Sequence, residues 1–326
     1  MLKWAKRIGL SIIALLLAIP IIGVPYEQWS RLSAARSYLP PGELIEFQGR
    51  NSHLYCLGEG SPIVVLESGG LAASPDWILV QESVAVFTRV CSYDRAGTFW
   101  SDKRSASRDA NQIASELHAL LEAAAEPAPY IVVGHSIGGL YAMVFSQRFD
   151  KDVVGIILVD PTTPDVLDHA PEAVSPVPLP PMIVTMNNIM AEIGLTRLAL
   201  RSRFEGAPEY VQRINPSLLP QSSGYIRELQ ELGQSLEQAR EGDHFGDKPL
   251  IILTATNHAS PGLNEDVLNR IEEVIPQLHA NLATLSSNSD HRIIDGSSHN
   301  IHWDDPGVVV TAIRDVLEAI REGTSL

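Results

Sequence analysis

Apolar residues along this chain follow three regimes. The first is a charge-free run from Ile8 to Val24, preceded by Lys3, Lys6 and Arg7. The second begins near Glu43 and consists of short strand-like runs at Glu43–Gln48, His53–Leu57, Pro62–Glu67 and Phe87–Tyr93. The third of these runs is apolar, as expected of a strand buried on both faces. After Tyr93 helical and strand periods alternate. Helix Asp109–Ala125 is predicted, then strand Tyr130–Val133, helix Ile137–Arg148 and strand Val153–Val159. Strand Pro249–Thr254, helix Glu265–Leu278, strand His291–Ile294 and helix Gly307–Arg321 complete the series. The helical stripes are explicit: Ile113, Leu117, Leu120 and Leu121 in one, Val309, Ile313, Val316, Leu317 and Ile320 in another. Such alternation predicts a mostly parallel sheet flanked by helices.

Between Pro161 and Lys248 the alternation stops. The interval is rich in Pro and Met, then helical from Ser223 to Arg240, and it holds no run suited to join the sheet. A structureless loop of that length is improbable in a compact domain, so the interval reads as an inserted helical cap. The expected organisation is an anchor or signal segment over 1–25, a proline-bearing stalk over 26–42, a core over 43–160 and 249–326, and the cap over 161–248.

Composition narrows the function. With 326 residues, 45% hydrophobic and 19% charged, the chain is long enough for a large globular core and unlike a disordered protein. A net charge of −15, without a basic run beyond the N-terminus, opposes nucleic-acid binding. The run from Ile8 to Val24 approaches the shortest helix that spans a bilayer, roughly 17 residues. It is longer than most signal-peptide cores, and the one Ala-x-Ala-like site, Ser33-Ala34-Ala35, lies well beyond it. An uncleaved N-terminal transmembrane helix is the expectation, with the body on the non-cytoplasmic, periplasmic or extracellular side by the positive flank; secretion after cleavage is the alternative.

The chemistry concentrates at Gly134-His135-Ser136-Ile137-Gly138-Gly139, which lies between an apolar strand and a helix. This is the G-x-S-x-G pattern in a strand-turn-helix setting, where a strained turn exposes the serine hydroxyl and glycines admit close backbone. The helix N-terminus favours negative charge beside that hydroxyl. A serine needs a base, and His299, following the last short strand in Gly296-Ser297-Ser298-His299, stands at the same end of the sheet. His302 shares an H-x-x-H spacing with it, but no third ligand accompanies the pair, so no metal is expected.

These features resemble the α/β-hydrolase superfamily from about Glu43 to the end. Ser68-Gly69-Gly70-Leu71 stands where that family has a His-Gly oxyanion turn, and Tyr93-Asp94-Arg95-Ala96-Gly97 resembles its loop after the fourth strand. The resemblance implies an α/β-hydrolase fold, an oxyanion hole from the backbone N–H groups of Gly70 and Ile137, and no cofactor. It implies an acid just after the strand following the cap, yet Leu253-Thr254-Ala255-Thr256-Asn257-His258 holds no carboxylate. A subset of the family takes its acid one strand earlier, which selects Asp160, with Glu265 or Asp266 as alternatives. Cys56 and Cys91 fall on neighbouring strands of that fold and are either a disulfide or two buried thiols.

The implied activity is hydrolysis of a small-molecule carboxylic ester with an apolar acyl group, through an acyl-enzyme on Ser136. Met182, Met186 and Trp100 are candidate pocket residues. Acyl transfer to an alcohol, or ligand binding without catalysis on the same fold, are the rival readings. An epoxide hydrolase or dehalogenase is disfavoured because those enzymes carry Asp where this chain has Ser136. Nothing in the sequence fixes the oligomeric state.

Overall fold

A computed structural model describes residues 2–173, 180–204, 206–219, 223–242, 244–259 and 264–326, with backbone alone at 2, 3, 5, 9–17, 172 and 201–203. Parts of the expected cap and of the Ile8–Val24 run therefore lie outside the described side chains.

Eight strands form one sheet: β1 (Glu43–Phe47), β2 (Arg50–Leu57), β3 (Ile63–Glu67), β4 (Val90–Tyr93), β5 (Tyr130–His135), β6 (Val153–Val159), β7 (Leu250–Asn257) and β8 (Ser289–Ser298). Their spatial order is β1-β2-β4-β3-β5-β6-β7-β8. β1 and β2 pair antiparallel, β2 meets β4 antiparallel, and all later pairings are parallel. The central strands β3 to β6 are buried on both faces, which is why they are mainly apolar without alternation; in β4 the buried Ser92 is satisfied by donating to Gln81 at 2.7 Å. The sheet matches the expected mostly parallel core.

Helices α3 (Ala110–Ala123), α4 (Ile137–Arg148), α11 (Glu265–Ala283) and α13 (Pro306–Glu322) are the ones the periodicity predicts. Asp109 caps α3 by accepting from Gln112 N, and Asn264 caps α11 by accepting from Val267 N. Pro306 opens α13, and Gly323, at φ +65°, closes it in the left-handed conformation. The stripe Val309, Ile313, Val316 and Leu317 buries against the sheet beside Val64, Ile131, Ile157 and Ile251.

The helices of the Pro161–Lys248 interval do not share one setting. α5 (Val166–His169), α9 (Gly224–Gln230) and α10 (Leu232–Arg240) belong with the sheet in the larger of two compact units, Pro40–Pro178 with Ser223–Leu326. The reason is polar. The first free N–H groups around α3 are those of Arg108, Ala110 and Asn111, and they donate to Glu231, Ser235 and Gln238 at 2.9, 3.0 and 2.9 Å.

The smaller unit, Met1–Leu39 with Leu179–Ser222, holds α1 (Leu2–Ser37), α6 (Pro181–Glu192), α7 (Leu195–Arg203) and α8 (Glu209–Leu218). The segment expected as a stalk from Tyr26 is instead helical to Ser37. Its Glu27 is buried and accepts two hydrogen bonds of 2.8 Å from Arg197 and one of 3.0 Å from Arg31, contacts that a solvated stalk would lack. Among the described residues, no helix is long and apolar enough to cross a membrane.

Cys56 and Cys91 are directly opposed in the β2·β4 register and form a disulfide. The bridge closes a loop with a sequence separation of 35 residues. Loops of that size stabilise a fold by about 2–4 kcal/mol, chiefly by restricting the unfolded chain. Cys56→Ser with Cys91→Ser should lower the denaturant-unfolding free energy by that amount. The native, non-reduced protein should take up no thiol alkylator, and uptake of two equivalents would reject the bridge.

Candidate active site

Three parallel strands end at the same edge of the sheet, and each delivers one polar residue there: Ser136 after β5, Asp160 after β6 and His299 after β8. Ligands of open parallel sheets sit at this carboxyl edge.

Ser136 occupies φ +55°, ψ −126°, a region that non-glycine residues avoid. The glycines around it are required by space. A Cβ at Gly134 would lie 2.4 Å from Gly138 O, and one at Gly138 would lie 2.5 Å from both Glu67 O and Ser68 O. The turn is held by Ser136 N donating to Val159 O at 3.1 Å, while Thr162 N and Gly139 N donate to Ser136 O, both at 2.9 Å. Ile137 N, at the first position of α4, lies where helical N–H groups have no partner in their own helix.

Asp160 also has a positive φ, +42°, and is 3% exposed. Its Oδ1 accepts from Ala255 N at 3.0 Å. Its Oδ2 is shared between His299 Nδ1 at 2.6 Å and His258 Nε2 at 3.1 Å. Burial alone would raise the Asp160 pKa. The hydrogen bonds from His258 and His299, with the charges of His299 and His279, outweigh it and hold the carboxyl far below the usual range. His299 is thus joined to Asp160 and not to Glu265 or Asp266, which are exposed in the first turn of α11.

A second tie comes from His135, the residue before the serine. Its Nε2 donates to the carbonyl of His299 at 2.9 Å, so the loops bearing Ser136 and His299 are pinned together. Among the described residues no hydrogen bond joins the Ser136 hydroxyl to His299; such bonds are often loose without substrate. His302 packs its ring 4.3 Å from that of His135 and 4.8 Å from Trp77. The one group of metal-binding side chains found among the described residues is Cys56, Cys91 and Glu126, and both sulfurs there are committed to the disulfide.

The turn after β3 is positioned by a buried cation. Arg95 Nη1 donates to Ser68 O at 2.6 Å and Nη2 to Gly69 O at 3.0 Å. In a trans peptide the N–H opposes the C=O, so holding Gly69 O turns the Gly70 N–H away from the guanidinium. A Cβ at Gly69 would lie 3.3 Å from Ser136 Cβ, which places the turn beside the serine. Arg95 itself is neutralised by Glu67 at 2.6 Å and by a two-pronged contact of 2.9 Å with Glu228 of α9. Tyr225, one turn earlier, stands against Gly70: a Cβ there would meet its ring at 2.6 Å.

The sequence of alternating elements, its elbow and its sheet order are those of one family. The profile of the alpha/beta hydrolase family matches residues 63–312. The chain belongs to that family. This alpha/beta hydrolase is 25% identical over 260 residues to the uncharacterized protein YqjL of Bacillus subtilis strain 168, covering 79% of this chain and 85% of that one. Its fold matches an alpha/beta hydrolase fold protein from Burkholderia ambifaria, with a TM-score of 0.63 and 20% identity over 85% of this chain and 98% of the other. It also matches the esterase EaEST of Exiguobacterium antarcticum, with a TM-score of 0.62 and 16% identity over 84% and 99%.

Of the remaining candidates, Trp100 packs its ring 4.8 Å from His53 in the loop after β4. Met182 and Met186 lie on α6 of the smaller unit, 74% and 51% exposed. The roles of three residues around the site of this hydrolase escape motif reading: His258, Arg95 and Tyr225, although Arg95 stands in the Tyr93–Gly97 loop and His258 in the empty acid slot. The signal for His258 is a histidine in the slot where the family carries its acid.

Burial of imidazoles sets the acid limit of the fold. Burial and then the neighbouring His299 depress His135 to about 3, burial depresses His279 to about 4, and burial with the neighbouring His135 and His299 pushes His302 well below its ordinary value. The unfolded chain protonates these three near pH 6.5, whereas the folded chain keeps them neutral, so acid favours unfolding. His258 beside Asp160 and His53 beside Asp94 have raised values despite burial. Their extra stability is present below pH 6.5, is lost as pH rises through the folded value, and adds no slope below about pH 6. These three protons alone give a loss of about 4 kcal/mol per pH unit between roughly pH 6 and 5; His291, also lowered by burial, adds to it, and Glu67, raised by burial, works against it. Urea unfolding across this window should show that slope, and a flat profile would refute it.

Proposed function

We propose that this chain is a serine hydrolase that cleaves a carboxylic ester through an acyl-enzyme on Ser136. The observation that carries the reading is the 2.6 Å contact of Asp160 Oδ2 with His299 Nδ1 at the sheet edge where the strained Ser136 turn also ends. With Nδ1–H donated to the carboxylate, the other ring nitrogen is the basic one. It takes the proton of the Ser136 hydroxyl as the oxygen attacks the ester carbonyl. The oxyanion lies toward the N–H groups of Ile137 and Gly70, the second oriented through Arg95. Donors of this kind are worth about 3–4 kcal/mol each. His299 then returns the proton to the departing alcohol. Water, deprotonated by the same imidazole, cleaves the acyl-enzyme and releases the acid. The esterase among the structural neighbours supports the substrate class.

We further read the N-terminal run Ile8–Val24 as a membrane attachment that leaves the hydrolase on the non-cytoplasmic side. Its basic flank supports this, and so does the Cys56–Cys91 bridge, since disulfides persist in oxidising compartments.

Steady-state kinetics on aryl esters of graded acyl length test the chemistry. Asp160→Asn should lower kcat by about 10⁴-fold by favouring the wrong imidazole tautomer. Glu265→Gln and Asp266→Asn, which change exposed residues of the first turn of α11, should leave it within about twofold. Loss on Glu265→Gln with retention in Asp160→Asn would overturn the assignment of the acid, and ester turnover by Ser136→Ala at the native rate would overturn the reading itself.

A further inference from the structure

In the smaller unit α8 buries the apolar Val211, Ile214 and Leu218 in the ordinary way, but α1 has its polarity reversed. On α1 the face packed within the unit carries Gly23, Glu27, Ser30 and Ala34, spaced three and four residues apart, with Glu27 wholly buried and Ser30 8% exposed. A Cβ at Gly23 would meet Ile193 O at 2.4 Å, so the two backbones approach closely there. The opposite face of the helix carries Ile22 and Trp29, 69% and 66% exposed, with Leu32 beside them at 60%. In water the preference runs the other way, with apolar residues inside and polar ones outside. Small and charged residues inside with apolar ones outside is the pattern of helices surrounded by lipid.

α6 also turns apolar side chains outward. It has no buried residue, and Met182, Met186 and Ile189 form an exposed stripe at 74%, 51% and 55%. Of the 20 exposed large apolar side chains among the described residues, 15 fall in this unit, which is about a quarter of the chain. Charge segregates along the same division. Residues 1–39 and 179–222 hold 9 basic against 4 acidic residues, whereas the rest holds 15 basic against 35 acidic. Lys3, Lys6 and Arg7 precede the Ile8–Val24 run and lie on its other side, which leaves 6 basic against 4 acidic residues, and an apolar surface with a local charge of +2 on a chain of net charge −15 complements a negatively charged lipid surface.

We propose that α1 and α6 of the smaller unit form a docking surface for an anionic lipid bilayer, with the Met182, Met186 and Ile189 stripe seated among the headgroups and upper acyl chains. The inserted helices thus share in membrane contact, beyond whatever the N-terminal run does alone. The buried Glu27 carboxylate, paired with Arg197 of α7 and Arg31 of α1, keeps the unit together while its apolar side faces outward. A bilayer fits this surface better than a two-fold contact with a second copy does, because that contact would set two positively charged faces against each other. The inference does not depend on the hydrolase chemistry, and neither failure entails the other.

Spin-label accessibility on the full chain tests it. The two native cysteines are bridged, so a nitroxide placed through Met186→Cys labels one site in the non-reduced protein. Val86→Cys, 86% exposed in the larger unit, is the reference. The protein is reconstituted at low density in vesicles of phosphatidylcholine with phosphatidylglycerol. The ratio of collision rates with oxygen and with a water-soluble nickel chelate should be several-fold higher at position 186 than at 86. It should fall when phosphatidylglycerol is omitted. Equal ratios at the two positions in the anionic vesicles would overturn the proposal. A label shielded from both oxygen and chelate would also overturn it, since the face would then be covered by protein.

Discussion

A carboxylate that is 3% exposed stays ionised only if donors surround it, and Asp160 has three: the backbone N–H of Ala255 and the rings of His258 and His299. They come from two strand ends. Ala255 belongs to β7, His258 follows it, and His299 follows β8, while Asp160 itself closes β6. The charge therefore binds three neighbouring parallel strands at their carboxyl edge. The sheet order requires this, because β6, β7 and β8 are adjacent and run the same way. The carboxylate fixes one ring nitrogen of His299, and His135 fixes the backbone of the same residue. The imidazole is held from two sides before any substrate arrives.

A second buried charge, Arg95, does for the turn after β3 what Asp160 does for the histidine loop. It is wholly enclosed, and Glu67 and Glu228 outweigh its burial and raise its pKa well above the ordinary guanidinium value. Glu67 comes from the sheet and Glu228 from α9, so a helix of the inserted interval shares in setting the Ser68-Gly69-Gly70 turn. Removing one partner of such a cluster would strand an uncompensated charge, at a cost of about 3–5 kcal/mol. The network gives a physical reason why part of the insertion is fixed against the core.

The sheet was legible because its central strands are buried on both faces and read as apolar runs between turn residues. The elbow was legible because steric need leaves only glycine at positions 134 and 138. His299 followed from its place after the last short strand, at the sheet end it shares with Ser136, and Asp160 from family resemblance. Other features depend on contacts between distant residues. The helical interval between Pro161 and Lys248 gave no hint that α9 and α10 go with the sheet, because polar side chains of Glu231, Ser235 and Gln238 decide it by receiving N–H groups around α3. Continuation of α1 to Ser37 rests on Glu27 meeting Arg197, 170 residues away. His258 was visible in the acid slot, but only the fold shows that it reaches Asp160 from there.

The most direct measurement is covalent labelling of the folded protein by a fluorophosphonate, followed by peptide mass mapping. The account predicts one phosphonyl group per chain, on Ser136, absent after unfolding and absent in His299→Ala because the hydroxyl then lacks its base. Failure of the folded protein to react, or an adduct on another residue that persists in Ser136→Ala, would contradict it.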